Sequence, residues 1–237
     1  MERYSVITDK NPREIVLLRG TGCKWRRCSF CDYHLDFSRN EAENFAVNSE
    51  ALSHVTGVCG KLEVINSGSF CDLDSETMKL IHTVCCDKGI KEIHFECHWR
   101  DRSAIKALRE SFSVSGIAVK VKIGVETFDA KYREAVLIKG IDESDPAKIA
   151  ADFDECCLLF GLSGQTAESM CRDIETGLDN FERVCVNIMT ANSTDVKPDA
   201  AVIRAFALEV RPDYENDPRV DILMENTDFG VGGEEDA

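Results

Sequence analysis

Three cysteines stand close together in the segment GTGCKWRRCSFCDYH, as Cys23, Cys28 and Cys31, with Phe30 directly before the last. Their spacing is C-x4-C-x2-C. Three thiolates hold three corners of a 4Fe–4S cubane and leave the fourth iron open to a ligand. Zinc uses the same donors but wants a fourth, and His34 in CDYH is available. The same spacing followed by a distant cysteine is that of plant-type 2Fe–2S ferredoxins, with Cys59 within reach as the fourth ligand. The loop argues against this last reading. Lys24, Trp25, Arg26 and Arg27 are bulky and charged, where a tightly wrapped 2Fe–2S loop favours small residues.

The chain holds twelve cysteines, so most need another explanation. Cys85, Cys86, Cys156, Cys157, Cys171 and Cys185 lie in apolar helix or strand contexts, where cysteine behaves as a small hydrophobe. In a reducing compartment these thiols stay free.

The elements that must position the cluster loop alternate regularly. The apolar run EIVLLRG ends just before the cysteines, and a helical stretch follows around residues 43–56. Then strands and helices pair off: KLEVINSGSF with DSETMKLIHTVCCDKG, KEIHFECHW with DRSAIKALRESF, IAVKVKIGVETF with DAKYREAVLIKG. ECCLLFGLSG is followed by TAESMCRDIETGLDNF, VCVNIM by DAAVIRAFALEV, and DILMEN is a candidate last strand. Strand–helix units of this length predict parallel strands with right-handed crossovers. The expected fold is therefore α/β, a partial (β/α)6 TIM-like barrel with parallel strands, one domain over residues 1–237, with only the tail VGGEEDA loose. Chemistry in such folds gathers at the C-terminal ends of the strands, and the cysteines follow the first of them.

Strand periodicity sorts the side chains. His94, Glu96 and His98 share one side of the third strand, with Ile93, Phe95 and Cys97 on the other. Lys120, Lys122, Gly124 and Glu126 share one side of the fourth, against Val121, Ile123 and Val125. The outer face of a parallel barrel packs on helices and must be apolar, so the polar sets point inward. There they either form mutual ion pairs or meet a ligand, because unpaired buried charge is expensive.

Composition excludes several classes. With 43% hydrophobic and 30% charged residues in 237, the chain is an ordinary globular one. No apolar stretch reaches the roughly 18 residues of a membrane span, and MERYSVITDKNPRE lacks a signal-peptide core, so the expected location is cytoplasmic, with no membrane contact. A formal net charge of −15 disfavours nucleic acid, whose binders present cations to phosphate. Lys24, Arg26 and Arg27 form a local basic patch, but the balance favours a small-molecule substrate. The open side expected of six strand–helix units predicts a homodimer.

Cys23, Cys28 and Cys31 with Phe30 resemble the cluster loop of the radical S-adenosylmethionine superfamily, with four residues instead of the usual three between the first two cysteines. NSGSF, from Asn66 through Ser67 and Gly68 to Phe70, resembles the segment that receives the methionine amino group. IGVETFD with Glu126 resembles the motif at the methionine or ribose end, and LFGLSGQT with Gly161 the one flanking adenine, while Asn187 joins this cofactor set. The motifs REIVLLRGTGC, VINSGSF, HFECHW, KIGVETFD and NTDFGVG together resemble queuine lyases of bacterial queuine salvage.

That resemblance implies a 4Fe–4S cluster, S-adenosyl-L-methionine, an electron donor such as flavodoxin or ferredoxin, and free queuine as substrate. It implies cleavage of the sulfonium to methionine and a 5′-deoxyadenosyl radical. The radical takes a hydrogen from the cyclopentenediol, and release of 7-aminomethyl-7-deazaguanine follows. His98 or Lys122 is the expected proton donor. The base has a paired donor edge that a carboxylate accepts, which assigns Glu96 or Asp228, with Phe229 stacking and Asn226 orienting the loop; residues 212–237 would complete the pocket. Asn, Asp and Gly in NTDFG also suit a plain turn.

Overall fold

The structure, a computed structural model, describes residues 1–232, with the side chain of His34 also outside the described residues. It divides into two compact units, residues 1–26, 33–121 and 229–232 forming the first and 27–32 with 122–228 the second.

In the first unit β1 (Tyr4–Ile7) pairs antiparallel with β2 (Arg13–Leu18). Strand β2 then runs parallel to β3 (Lys61–Asn66), and β3 to β4 (Glu92–Glu96). Helix α1 (Glu41–Ser53) precedes β3, α2 (Ser75–Lys88) precedes β4, and α3 (Ile105–Ser113) follows β4. Helix α2 begins where Asp74 accepts the Thr77 N–H and hydroxyl at 2.8 and 2.7 Å. It ends at Gly89, whose φ of 70° only glycine adopts without strain. The chain's last described residues return to this unit: the Gly232 N–H donates to Glu2 O at 2.9 Å, Val231 is buried, and the Arg13 guanidinium lies 4.7 Å from the Phe229 ring centre.

Strand β5 (Ala118–Glu126) begins in the first unit and ends in the second, where it runs parallel to β6 (Glu155–Phe160). Parallel pairing continues to β7 (Arg183–Ile188) and β8 (Val220–Leu223). Helices α4 (Ala130–Tyr132), α5 (Pro146–Ala150), α6 (Ala167–Asn180), α7 (Ala200–Ala205) and α8 (Arg211–Tyr214) connect them. The α/β class and parallel strands match the sequence reading, whereas the hairpin strand β1 had no separate signal in it.

Three expectations change. The segment DAKYREAVLIKG is not one helix: three α-helical residues give way to a π turn, Arg133–Leu137, which stops at Ile138 with φ 53°. The cause lies in two side chains. The Glu134 carboxylate accepts the Gly140 and Ile141 N–H groups at 2.8 and 3.1 Å, and the buried Arg133 guanidinium donates to the carbonyls of Thr127 and Glu143. His98 does not continue the strand face of His94 and Glu96, because β4 ends at Glu96 and His98 caps the next 3-10 turn, its Nδ1 accepting the Arg100 N–H at 3.3 Å. Among the cysteines expected as core, Cys85, Cys156 and Cys185 are buried but Cys86 is exposed.

The alternation of faces holds. Ile93, Phe95, Val121, Ile123 and Val125 are almost fully buried on the apolar face. Much of the polar face is paired within itself. Arg13 and Glu63 form a buried ion pair, and Arg183 reaches Glu155 at 3.0 Å and Asp221 at 3.3 Å. The His94 hydrogen bond holds the Glu92 carboxyl down to about 2, against the opposing effect of burial and with help from Lys61. Glu14 is fully buried yet accepts from Tyr4, Thr56 and the Gly57 N–H.

Replacing Arg183 by Met removes the cation that the buried carboxylates of Glu155 and Asp221 share. Breaking a buried pair in this way costs about 3–5 kcal/mol. Urea unfolding of Arg183→Met is expected to show that loss; a change within experimental scatter of the parent would mean Glu155 and Asp221 do not depend on Arg183.

Candidate active site and metal loop

The cysteine loop divides between the units, Cys23 in the first and Cys28 with Cys31 in the second. In the first, Asp72 organises the surroundings of Cys23. Its backbone oxygen accepts from the Thr21 N–H at 2.8 Å, and its carboxylate takes the Ser69 N–H at 2.9 Å and faces Lys24 Nζ at 3.4 Å. Burial raises the Asp72 pKa, against the Ser69 N–H and Lys24, which favour the ionised form. Gly68 packs so tightly here that a Cβ would lie 2.4 Å from Asp72 Oδ2 and 3.0 Å from Cys23 Cα. Arg26, at φ 48°, returns its Nε to the Cys23 carbonyl at 2.9 Å and lays its guanidinium over Phe37.

Asn66 and Ser67 lie at and just past the end of β3. Ser67 donates to Asp36 O at 2.8 Å, and the buried Asn66 donates to Ser69 O at 3.0 Å. Asn66 Oδ1 is buried without a hydrogen-bond partner among the described residues, an acceptor waiting for a donor. His98 stacks on Trp25 with ring centres 5.8 Å apart, and Arg100 covers the same indole. A cavity of about 260 Å³ is lined here by Cys23, Lys24, Trp25, Asp72, His98, Arg100 and Asp101. Glu96, half-buried, ends β4, and Phe229 lies against Arg13.

In the second unit the Cys28–Cys31 segment is a tight turn, with the Cys31 N–H on Cys28 O at 3.4 Å. Ser29 anchors it by donating its N–H to Leu137 O at 3.0 Å and its hydroxyl to Val136 O at 2.6 Å. Asn192 donates to Phe30 O, Ser193 donates to Asp32, and the Phe30 ring packs on Leu137, Leu159, Leu162 and Met189. Glu126 closes β5 at φ 68° beside a shift in strand register, and accepts from Lys139 Nζ at 2.6 Å. Gly124 leaves room for that pair: a Cβ would lie 2.5 Å from Glu126 Oε1 and 2.7 Å from Lys139 Nζ. Gly161, at φ 89°, likewise admits Ile203, and Asn187 is half-buried on β7.

Two candidates sit differently from their expected roles. Lys122 is buried midway along β5, in register with Glu155, the first residue of β6. The Asp228 carboxylate accepts the Met224 and Glu225 N–H groups at 2.7 and 3.0 Å and so closes the turn after β8. Asn226 donates to Thr190 at 2.7 Å. Sequence reasoning missed Asp72, whose signal was the Ser69-x-x-Asp72 capping box, and Lys139, which had no local signal because the π turn places it.

The donor set suits a cluster. All twelve cysteines are free thiols, and Cys23, Cys28 and Cys31 are partly exposed. Among the described residues no three metal-ligating side chains are drawn together around a single ion. A cubane takes one thiolate per iron, so its ligands need not converge on a point. Gly68→Ala would drive a methyl group against Cys23 and Asp72. We expect it to lower iron content after reconstitution and to destabilise the fold by about 1–3 kcal/mol, the usual cost of overpacking; iron assay and thermal unfolding matching the parent would show that the loop yields freely.

No protein-family model matches the chain, and no curated protein matches it. Among solved structures, a queuine lyase from Clostridium spiroforme bound to SAM and queuine is 44% identical, with a TM-score of 0.93 over 98% of this chain and 100% of that one. Streptococcus suis SuiB, at 16% identity and a TM-score of 0.54 over 88% of this chain and 49% of that one, shares the fold alone. The parallel α/β architecture is thus the partial TIM-like barrel expected. With the cysteine loop, the strand-end motifs and identity sustained over nearly the whole length of both chains, this protein belongs to the queuine lyase family of radical S-adenosylmethionine enzymes.

Proposed function

We propose that the chain cleaves free queuine to 7-aminomethyl-7-deazaguanine, with a 4Fe–4S cluster on Cys23, Cys28 and Cys31 and S-adenosylmethionine as cofactor. The observation that carries this reading is the 44% identical queuine lyase, bound to SAM and queuine, that matches the chain from end to end. Cluster and S-adenosylmethionine together supply one-electron chemistry able to remove a hydrogen atom from an unactivated carbon.

The chain's own residues bind, orient and move protons. The unpartnered Asn66 Oδ1 fits an ammonium donor, which supports its assignment, with Ser67 and Gly68, to the methionine amino group. Glu126, Gly161, Asn187 and Phe30 complete the proposed cofactor set. We assign His98 to move a proton at the departing amine: its Nδ1 accepts the Arg100 N–H, which leaves Nε2 as the exchanging nitrogen, and the ring acts as the acid only as imidazolium. Lys122, level with the buried ion pairs, is not retained for this role. Glu96 is the carboxylate proposed for the donor edge of the base, since Asp228 is engaged by its own turn. Asn226 and Phe229 remain proposed neighbours of the substrate within the 212–237 segment, of which 233–237 lie outside the described residues.

The finer setting is also a proposal: queuine salvage in the cytoplasm, reduction by a flavodoxin- or ferredoxin-class donor, and a homodimer. Free thiols throughout support a reducing compartment, and no helix among the described residues is long and apolar enough to cross a membrane.

Anaerobic incubation of reconstituted protein with S-adenosylmethionine, a reductant and queuine tests the function, with products read by mass spectrometry. The 7-aminomethyl-7-deazaguanine base should appear. It should vanish with Cys23→Ala, Cys28→Ala or Cys31→Ala and persist with Cys59→Ala. Unconsumed queuine, or a two-iron centre lost with Cys59, would refute the assignment. Glu96→Gln should weaken queuine binding by about 2–5 kcal/mol, the cost of losing the carboxylate of a charge-assisted hydrogen-bonded pair. Calorimetry showing parental affinity would move the base elsewhere.

A further inference from the structure

The end of the π turn serves the Cys28–Cys31 segment twice. Its carbonyls at Val136 and Leu137 receive both donors of Ser29. The next residue, Ile138, then adopts φ 53°, a left-handed conformation costly for a β-branched side chain. The reversal turns Lys139 back, so that its Nζ lies 2.6 Å from Glu126 Oε1 and 5.7 Å from the centre of the Phe30 ring. The lysine side chain is 13% exposed and that of Glu126 8%. A buried ammonium persists only beside compensating negative charge. The ion pair with Glu126 keeps the buried Lys139 ammonium charged.

We propose that Lys139 is a positioning residue of the cluster: a fixed positive charge, aimed by the left-handed Ile138 and held by Glu126, that raises the reduction potential of the iron bound at Cys28 and Cys31. This rests on the cluster assignment above. An added electron meets the negative charge of the thiolates, and a cation held beside them reduces that repulsion. The Glu126 carboxylate acts in the opposite sense, so the pair sets the potential by difference. Neither residue need touch the iron to do so.

The test is an electron-paramagnetic-resonance redox titration of anaerobically reconstituted full-length protein, without S-adenosylmethionine. Lys139→Met should lower the midpoint by the equivalent of about a tenfold change in the reduction equilibrium, ~59 mV for one electron. Lys139→Arg should stay near the parent, and Glu126→Gln should move the midpoint upward. Midpoints that do not move, or that move in the same direction in Lys139→Met and Glu126→Gln, overturn the proposal. If Lys139→Met fails to take up iron, Glu126→Gln decides alone: an upward shift supports the proposal, and an unchanged or lower midpoint overturns it. A parent protein that forms no 4Fe–4S cluster overturns the cluster assignment and this proposal together. A parent that forms one, with variants titrating identically, overturns this proposal only.

Discussion

A helix consumes its own carbonyl oxygens and releases them only at its C-terminal end. The cysteine turn needs such oxygens, because Ser29 has two donors and no strand to pair with. Cutting α4 to three residues and widening the next turn frees Val136 and Leu137 at that place. Much else in the second unit follows from this constraint. Arg133 and Glu134 stop the helix, Ile138 takes a strained backbone, Gly124 gives up its side chain, and Lys139 finds Glu126. A regular helix over DAKYREAVLIKG would hide both carbonyls inside its own ladder.

The inward faces of the strands hold charge, which in a core requires pairing. The structure supplies it by alternating sign across neighbouring strands, as in Glu155, Arg183 and Asp221. The arrangement reads as registration as much as stability. A slip of one residue would turn these charges onto the apolar face, so the ion pairs penalise wrong strand alignments.

Periodicity and spacing reveal those parts of the molecule that depend on near neighbours in the chain. The six strand–helix units and the split of apolar and polar faces on β4 and β5 were legible that way. So was the cysteine loop. What escaped depends on contacts between distant residues. Nothing local marks Lys139 as the partner of Glu126, and nothing in NTDFG says whether Asp228 closes its own turn or meets a base. His98 escaped for a different reason: period-2 reasoning assumes that the strand continues, and the strand stops at Glu96.

Residues 229–232 complete the first unit, with Gly232 bonded to Glu2, Val231 buried and Phe229 beneath Arg13. During synthesis, β1 through β4 emerge long before this segment does. The first unit therefore waits, incompletely covered, while the whole second unit is translated. At ribosomal speeds of about 5–20 residues per second, that interval is on the order of ten seconds. Throughout it the pair of Arg13 and Glu63 lacks the aromatic ring that later covers the arginine. The order of synthesis and the order of packing thus run in opposite directions, and the half to be translated first is the half to be finished last.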